Sequence, residues 1–276
     1  MCGLGRYLNS TRRLNQETIP EALASLARFR KLADICGVKE RDIHPFATAA
    51  VRWAEDGNEF LVRAEEACGV PIRVIGNAEE AELAATGVLA GCANPAGIVG
   101  DLGGGSVELV RLRDKSFDHK ISLPLGSLSL VDKTHGEKTE AIPLIEEGLA
   151  PQTWLAEAHG ETFYAVGGTW RALAKLHMHQ TGYPLTAIHG YRLDARKALH
   201  VTARYANSSP SALKRVYSLS ADREEAVPFG ALLLNMIIRK QPQPVCGNFS
   251  SECSRIRAVR PRLSFAALAL SPSHSP

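Results

Sequence analysis

The segment DLGGGS, residues 101–106, joins a carboxylate to four consecutive turn residues, and Glu108 follows shortly afterwards. Glycines carry no Cβ, so a ligand can approach their backbone closely and successive N–H groups can converge on an anion. Carboxylates such as Asp101 and Glu108 suit a magnesium ion or its water shell. The segment therefore predicts a phosphate loop between two acids, and the alternative is a flexible hairpin with solvated carboxylates. We call the predicted loop the glycine turn; it consists of Gly103, Gly104, Gly105 and Ser106.

Two acids, Glu79 and Glu80, stand at the start of a predicted helix, three residues or fewer after Asn77. Asn77 and Glu80 have the spacing of a capping box, and acids favour helix N-termini, which is one explanation of the pair. The other explanation is a general base, Glu80, that orients a water molecule. Spacing alone leaves both open.

A second glycine turn follows a predicted strand at residues 163–166 and precedes a predicted helix. We call it the GGT turn; it consists of Gly167, Gly168 and Thr169. A strand, a glycine turn and a helix N-terminus bring backbone donors and the helix dipole to a phosphate. An ordinary tight turn with Thr169 as the helix N-cap explains the same residues. Arg171, one turn inside the helix, could reach an anion.

Arg52 and Thr48 lie in the segment ATAAVR, directly after a predicted strand. A hydroxyl and a cation at a strand end could meet a phosphate, although a surface arginine is the simpler explanation.

The elements that would position these residues follow from hydrophobic periodicity and turn signals. Two short apolar runs flank the glycine turn and predict a β-hairpin. Thr18 and Glu21 have capping-box spacing at the start of a helix whose apolar stripe runs from Ala22 to Cys36 and ends at Gly37. A strand and turn are predicted at residues 44–50, further strands at 71–75, 97–102, 107–112 and 163–166, and helices at 18–36, 58–69, 77–90, 170–176 and 226–238.

The composition is that of a globular protein, with 45% apolar and 22% charged residues. A formal net charge of +3 is too weak to indicate a nucleic-acid partner. The apolar runs are too short to span a membrane, and the first residues show no secretory signal. The six cysteines show no zinc-ligand spacing and indicate reduced thiols, so we expect a cytoplasmic protein without membrane or nucleic-acid partners.

In this order, the motifs resemble the exopolyphosphatase / guanosine pentaphosphate phosphohydrolase family, and the resemblance extends over residues 1–240. As a set they are specific, although each alone would be weak. The matching segments are CGLGR (2–6), ATAAVR (47–52), DGNEFL (56–61), EEA (79–81), GDLGGGSVELV (100–110), SLPLG (122–126), VGGTWRALAKLH (166–177) and HGY (189–191).

The resemblance implies an α/β fold of the actin-like ATPase (ribonuclease H-like) type, with two subdomains around a cleft. It implies a partial first subdomain at residues 1–84, a second at 85–241, and a disordered Ser/Arg/Pro-rich tail at 242–276. Glu80 matches the family's catalytic glutamate, and Asp101 and Glu108 match its magnesium-associated acids. The glycine turn matches a phosphate loop, Arg52 matches an arginine that meets the phosphate chain, and the GGT turn matches a further turn at the cleft.

Two departures from the family pattern affect these expectations. The family opens with a strand and a D-x-G-S-N-S phosphate loop that this sequence does not match, and the resemblance fades after Lys240. We therefore expect an incomplete first subdomain and weak hydrolysis, because a missing set of phosphate donors typically lowers the rate on the order of a hundredfold to a thousandfold.

The expected activity is Mg²⁺-dependent hydrolysis of inorganic polyphosphate or guanosine pentaphosphate, by in-line attack of a water held by Glu80. The sequence does not choose between these substrates, and homodimerisation stays open. One rival is an impaired binding protein that retains part of the cleft, and another is an actin-fold kinase for a small molecule.

Overall fold

The computed structural model describes residues 3–158, 160–185, 187–216 and 220–240. The predicted tail at 242–276 lies outside the described residues. The described residues form two compact units, one ending at Asn77 and the other beginning at Ala78. None of the helices in the described ranges is both long enough and apolar enough to cross a membrane.

The first unit is mainly helical and carries one short parallel sheet. Phe46 pairs with Arg73 and Ala47 with Val74 in this sheet. The sheet has only two strands of two residues each among the described residues of this unit, and the incomplete first subdomain stays a prediction. Its elements are α1 (Leu8–Thr11), α2 (Ile19–Ile35), a 3-10 turn (Glu40–Asp42), β1 (Phe46–Ala47), α3 (Ala49–Trp53), α4 (Gly57–Cys68) and β2 (Arg73–Val74).

The core of the first unit lies between α2 and α4. Ala22 and Leu26 of α2 are buried with Phe60 and Ala64 of α4, because each pair is spaced i, i+4 and shares one helix face. The predicted stripe on α2 is wrong beyond Leu26, since Phe29 and the residues after it towards Cys36 are exposed or half-buried. Thr18 precedes the helix as predicted, but its side chain makes no capping hydrogen bond.

The second unit is built around a four-stranded sheet in the order β5-β4-β3-β6. The predicted hairpin is confirmed, because β3 and β4 pair antiparallel, and β3 also pairs parallel with β6. The strands are β3 (Gly97–Leu102), β4 (Val107–Arg113), β5 (Ser116–Leu123) and β6 (Thr162–Val166). The helices are α5 (Asn77–Gly91), α6 (Ser127–Lys133), α7 (Lys138–Leu149), α8 (Trp154–Glu157), α9 (Gly168–Gln180), α10 (Ala195–Ala206), α11 (Pro210–Val216) and α12 (Ala221–Lys240).

Both faces of β3 are covered, which explains its continuous apolar sequence. Ile98 and Leu102 belong to the main core, to which α6, α7, α9, α10 and α12 also contribute. Val99 lies on the opposite face, where Ala81 and Ala85 of α5 are buried against it. Side chains alternate along a strand, so Asp101 shares the α5 face with Val99. Glu80 lies in the first turn of α5, and α5 is therefore the helix that covers the sheet face on which Asp101 lies.

Candidate functional site

Three polar side chains occupy one row across the sheet. Asp101 on β3 pairs with Glu108 on β4, and Glu108 pairs with Ser122 on β5. Residues directly opposite each other in paired strands lie on the same face of a sheet. Glu108 is 1% exposed, and its Oε1 accepts a hydrogen bond from the Ser122 hydroxyl at 2.7 Å. The hairpin therefore places the two predicted metal-associated acids side by side.

Burial and neighbouring charge favour the protonated form of Glu108. Its pKa is raised to about 7, mainly by burial and also by the negative charges of Glu80 and Asp101, whereas hydrogen bonds from Ser106 and Ser122 lower it. A carboxyl group is harder to ionise where water is excluded and other carboxylates are close. Glu80, Asp101 and Glu108 thus form one electrostatically coupled group, which we call the acid cluster.

Asp101, a member of the acid cluster, also interacts with a cation. Burial raises the pKa of Asp101, and the positive charge of Arg171 acts in the opposite direction. Arg171 lies in the first turn of α9, where its Nε donates to the Gly167 carbonyl at 3.3 Å. The cation that the sequence placed near an anion is therefore beside one of the acids.

The glycine turn is held from one side by the start of α6. The Gly103 carbonyl accepts from the Ser127 N–H at 3.1 Å, the Gly104 carbonyl from the Ser129 N–H at 2.8 Å, and the Gly105 carbonyl from the Gly126 N–H at 3.2 Å. These amides have no partner within α6, since the first N–H groups of a helix lie beyond its own ladder. The turn thus supplies the acceptors that this helix start requires.

The direction of these three carbonyls fixes the direction of the amides that follow them. A trans peptide is planar, so its N–H points opposite to its C=O. The N–H groups of Gly104, Gly105 and Ser106 therefore point away from α6, and no described residue accepts a hydrogen bond from them. Three adjacent donors on one side of a turn can bind an anion such as phosphate.

The GGT turn lies against the end of β3. Gly167 has φ +101°, and a Cβ there would lie 2.4 Å from the Leu102 carbonyl oxygen and 3.0 Å from Asp101 Oδ1. Glycine is therefore required by both backbone conformation and space. Thr169 is not the N-cap of α9, because it lies within the helix with its Oγ1 3.1 Å from the Ser127 hydroxyl. The glycine turn and the GGT turn thus meet at Ser127.

Arg52 belongs to the first unit. Its guanidinium donates to the Ile75 carbonyl and to the Asn77 Oδ1, so the Asn77 side chain contacts Arg52 from its position at the first residue of α5. Thr48 precedes α3 without a capping hydrogen bond from its side chain. The phosphate-binding role of Arg52 stays a prediction.

The described residues contain no group of three or more His, Cys, Asp or Glu side chains that could hold a metal by themselves. Mg²⁺ usually binds through one or two carboxylates together with substrate phosphates. Asp101 and Glu108, paired across the hairpin, meet that smaller requirement. The donor set therefore fits a magnesium ion that arrives with a phosphate substrate.

Sequence reasoning missed the roles of Ser122, Gly126 and Ser127. Ser122 and Gly126 are the ends of the SLPLG segment, so the resemblance pointed to this region without giving it a function. A Cβ on Gly126 would lie 2.3 Å from the Gly104 carbonyl oxygen. A cavity of about 510 Å³ lies between α7 and α12 and is lined by residues such as Ile142 and Met236 rather than by the acid cluster.

Comparison with known proteins identifies the family. The sequence model of the Ppx/GppA phosphatase family matches residues 2–255. The chain belongs to the Ppx/GppA phosphatase family. The match covers nearly the whole chain, and it confirms the resemblance that the motifs indicated.

Similar proteins agree with this family and fold. Retrograde regulation protein 2 of Saccharomyces cerevisiae is 23% identical over 269 residues, which are 88% of this chain and 45% of the yeast protein. The chain spans about half the length, or less, of the curated relatives that it matches.

Two crystal structures show the same fold. A Ppx/GppA family member from Aquifex aeolicus is 26% identical with a TM-score of 0.64, and 87% of this chain covers 80% of it. An exopolyphosphatase from Cytophaga hutchinsonii is 20% identical with a TM-score of 0.75, and 84% of this chain covers 78% of it. The fold is therefore α/β and actin-like, as predicted from the motifs.

Proposed function

We propose that this Ppx/GppA family protein is a phosphoanhydride hydrolase that releases the terminal phosphate of inorganic polyphosphate or guanosine pentaphosphate. One observation carries the proposal: the glycine turn presents three outward N–H groups directly beside the acid cluster. Phosphoryl transfer needs bound phosphate oxygens, neutralised charge and a held water, and little covalent chemistry from the protein. Donors and carboxylates in one place meet that need.

The amides of the glycine turn bind the oxygens of the terminal phosphate. The GGT turn and Arg171 border the same end of β3 and contact the next part of the substrate. Amides fixed by the α6 contacts need no reorganisation when charge develops on the phosphate, and preorganised donors of this kind are a large source of rate enhancement.

Asp101 and Glu108 would hold Mg²⁺, and the ion would supply neutralisation of the charge on the transferred phosphate. Glu80 accepts the proton of the attacking water. Glu80 lies in the first turn of a helix and is half-buried. A general base of this kind contributes on the order of 10²–10⁴ in rate.

The test is phosphate release from polyphosphate by the full chain with Mg²⁺, and by Glu80→Gln and Glu79→Gln variants. Both substitutions remove one carboxylate charge at neighbouring positions of α5, so they form a matched pair. We expect Glu80→Gln to lower kcat by about a hundredfold or more, and Glu79→Gln to retain most of the activity. Equal rates for the two variants would exclude Glu80 as the base.

A further inference from the structure

Two buried hydroxyl groups connect the glycine turn to the GGT turn. Ser127, the first residue of α6, is fully buried, and Thr169, in the first turn of α9, is 1% exposed. The Ser127 Oγ and the Thr169 Oγ1 lie 3.1 Å apart. A hydroxyl that is removed from water and left without a partner costs free energy, so the contact constrains the positions of both segments. We call Ser127 and Thr169 the hydroxyl pair.

The hydrogen bonds through the hydroxyl pair have a direction. The Ser127 hydroxyl also points at the Gly103 carbonyl oxygen, at 3.4 Å, and a carbonyl oxygen can only accept. A hydroxyl has one proton, so a Ser127 proton directed at Gly103 leaves Thr169 as the donor to Ser127. The hydrogen bonds therefore run from Thr169 in α9, through Ser127, to the first residue of the glycine turn.

The Gly103 carbonyl belongs to the same peptide as one of the three outward amides. The Ser127 N–H donates to this carbonyl at 3.1 Å, so Ser127 contacts the oxygen through both its main chain and its side chain. Because the peptide is planar, any rotation of the Gly103 C=O also turns the Gly104 N–H. The contacts of Ser127 thus fix the direction of one donor of the glycine turn.

Thr169 is held by packing as well as by its hydroxyl. A Cβ on Gly230 of α12 would lie 2.6 Å from the Thr169 Cγ2, and the Trp170 Nε1 donates to the Gly230 carbonyl at 2.8 Å. The methyl group therefore fixes the start of α9 against α12, and the hydroxyl fixes it against α6. The first N–H groups of α9 have no partner within the helix, so these contacts decide where its anion-binding end lies relative to the glycine turn.

We propose that Ser127 and Thr169 are positioning residues that hold the glycine turn and the GGT turn in one fixed arrangement, so that consecutive phosphates of one substrate contact both turns. This proposal rests on the proposed function and extends it to the way in which the two turns cooperate. A single phosphate occupies the glycine turn alone. A chain of three phosphates contacts both turns, so its affinity depends on the hydroxyl pair.

Two substitutions at Thr169 separate its two contacts. Thr169→Val removes the hydroxyl and keeps a similar shape against Gly230, whereas Thr169→Ser keeps the hydroxyl and removes the methyl group. Thr202→Val is the matched control, because Thr202 of α10 is 2% exposed and its hydroxyl donates to the Ala198 carbonyl at 2.7 Å. Ser127→Ala removes the other hydroxyl of the pair and provides a second test if Thr169→Val does not fold. Every variant is the full chain, and circular dichroism verifies that it is folded.

Equilibrium binding of tripolyphosphate and of orthophosphate is measured without Mg²⁺, so the readout requires no turnover. We expect Thr169→Val and Ser127→Ala each to lower the affinity for tripolyphosphate by about tenfold without changing that for orthophosphate, because the Ser127 N–H still holds the glycine turn. Thr169→Ser and Thr202→Val should retain both affinities. The double variant Ser127→Ala/Thr169→Val should lose no more affinity than either single variant, because the two hydroxyls act as one unit.

Three outcomes would overturn the proposal. Equal losses for tripolyphosphate and orthophosphate in Thr169→Val, or the same loss in Thr202→Val, would show a role in stability alone. Unchanged tripolyphosphate binding in both Thr169→Val and Ser127→Ala would overturn the cooperation of the turns and leave the proposed hydrolysis standing. An unaltered chain that binds neither phosphate would overturn this inference and the proposed function together.

Discussion

Glu108 gives the acid cluster a defined pH dependence. Its pKa is about 7 in the folded chain and about 4.3–4.5 when unfolded, so the folded state binds the proton more tightly. Stability is therefore greatest below the unfolded pKa, falls as the pH rises from about 4.5 to 7, and is level above that range. Over this pH range the free energy of unfolding falls by about 3 kcal/mol because of Glu108. We expect Glu108→Gln to be more stable than the unaltered protein at pH 8, with much less difference at pH 4.5, in denaturant unfolding without Mg²⁺.

Glu147→Gln is the control, because Glu147 is an exposed acid on α7. Its substitution removes the same charge without relieving burial, so the pH profile of stability of Glu147→Gln should run parallel to that of the unaltered chain. If the free energy of unfolding of Glu108→Gln still falls as steeply between pH 4.5 and 7 as that of the unaltered chain, a group other than Glu108 causes the pH dependence of stability.

At the residue scale, the sequence predicted which acids and glycines would come together but not what holds them. The proximity of Asp101 and Glu108 could be predicted because a hairpin around a glycine turn pairs the residues on its two arms. The contacts of Ser122 and Ser127 were not, because each depends on strand register or on a helix start brought in from more than a dozen residues away. A serine carries no periodic signal that marks such a contact.

At the scale of elements, the contact between the glycine turn and α6 depends on Gly126. A Cβ at this position would lie 2.3 Å from the Gly104 carbonyl oxygen and also 2.3 Å from the Gly105 carbonyl carbon. The backbone of Gly104 and Gly105 cannot move away from this Cβ without breaking the glycine turn. We expect Gly126→Ala to lower the free energy of unfolding by about 2–3 kcal/mol and to weaken phosphate binding, measured by chemical denaturation and by titration with tripolyphosphate.

Gly76→Ala serves as the comparison. A Cβ on Gly76 would have no atom within 4 Å, so this variant should remain within about 0.5 kcal/mol of the unaltered protein. Similar losses for both variants would indicate that general backbone stiffness, rather than the contact with the glycine turn, causes the effect of Gly126→Ala.

The elements that the sequence missed share a physical cause. β5 is an edge strand, and its first five residues are exposed, so it has no alternation of buried and exposed residues to detect. Strands and helices with clear apolar patterns, such as β3 and α12, were predicted because the side chains that they bury in the core are apolar and follow the period of the element. Short helices such as α6 contain too few turns for a periodic signal.

At the scale of the whole molecule, the two units differ in how much core each contains. Among the described residues, the buried cluster of the first unit has ten members, including Ala22, Ala47 and Ala64, whereas the main cluster of the second has 28. A small core and a two-stranded sheet of two residues per strand give little cooperative stability. We expect amides of α2 and α4 to exchange with deuterium through openings of lower free energy than those of β3 and β4.

Hydrogen exchange followed by mass spectrometry measures this difference directly. Rates are normalised to those of the unfolded chain, so that sequence effects on intrinsic exchange cancel. Equal protection in α4 and β3 would mean that the first unit is as stable as the second despite its smaller core.

The bond pattern around the glycine turn limits where this chain can change in length. Each of three consecutive carbonyls has its own amide at the start of α6, so one inserted residue would shift every later carbonyl to the wrong partner. The turn between β4 and β5 is different, because Asp114 and Lys115 both have left-handed φ values and are exposed, and a two-residue hairpin loop can lengthen outward into solvent. A library of single-residue insertions should therefore yield folded protein at residues 114–115 and none at 104–105.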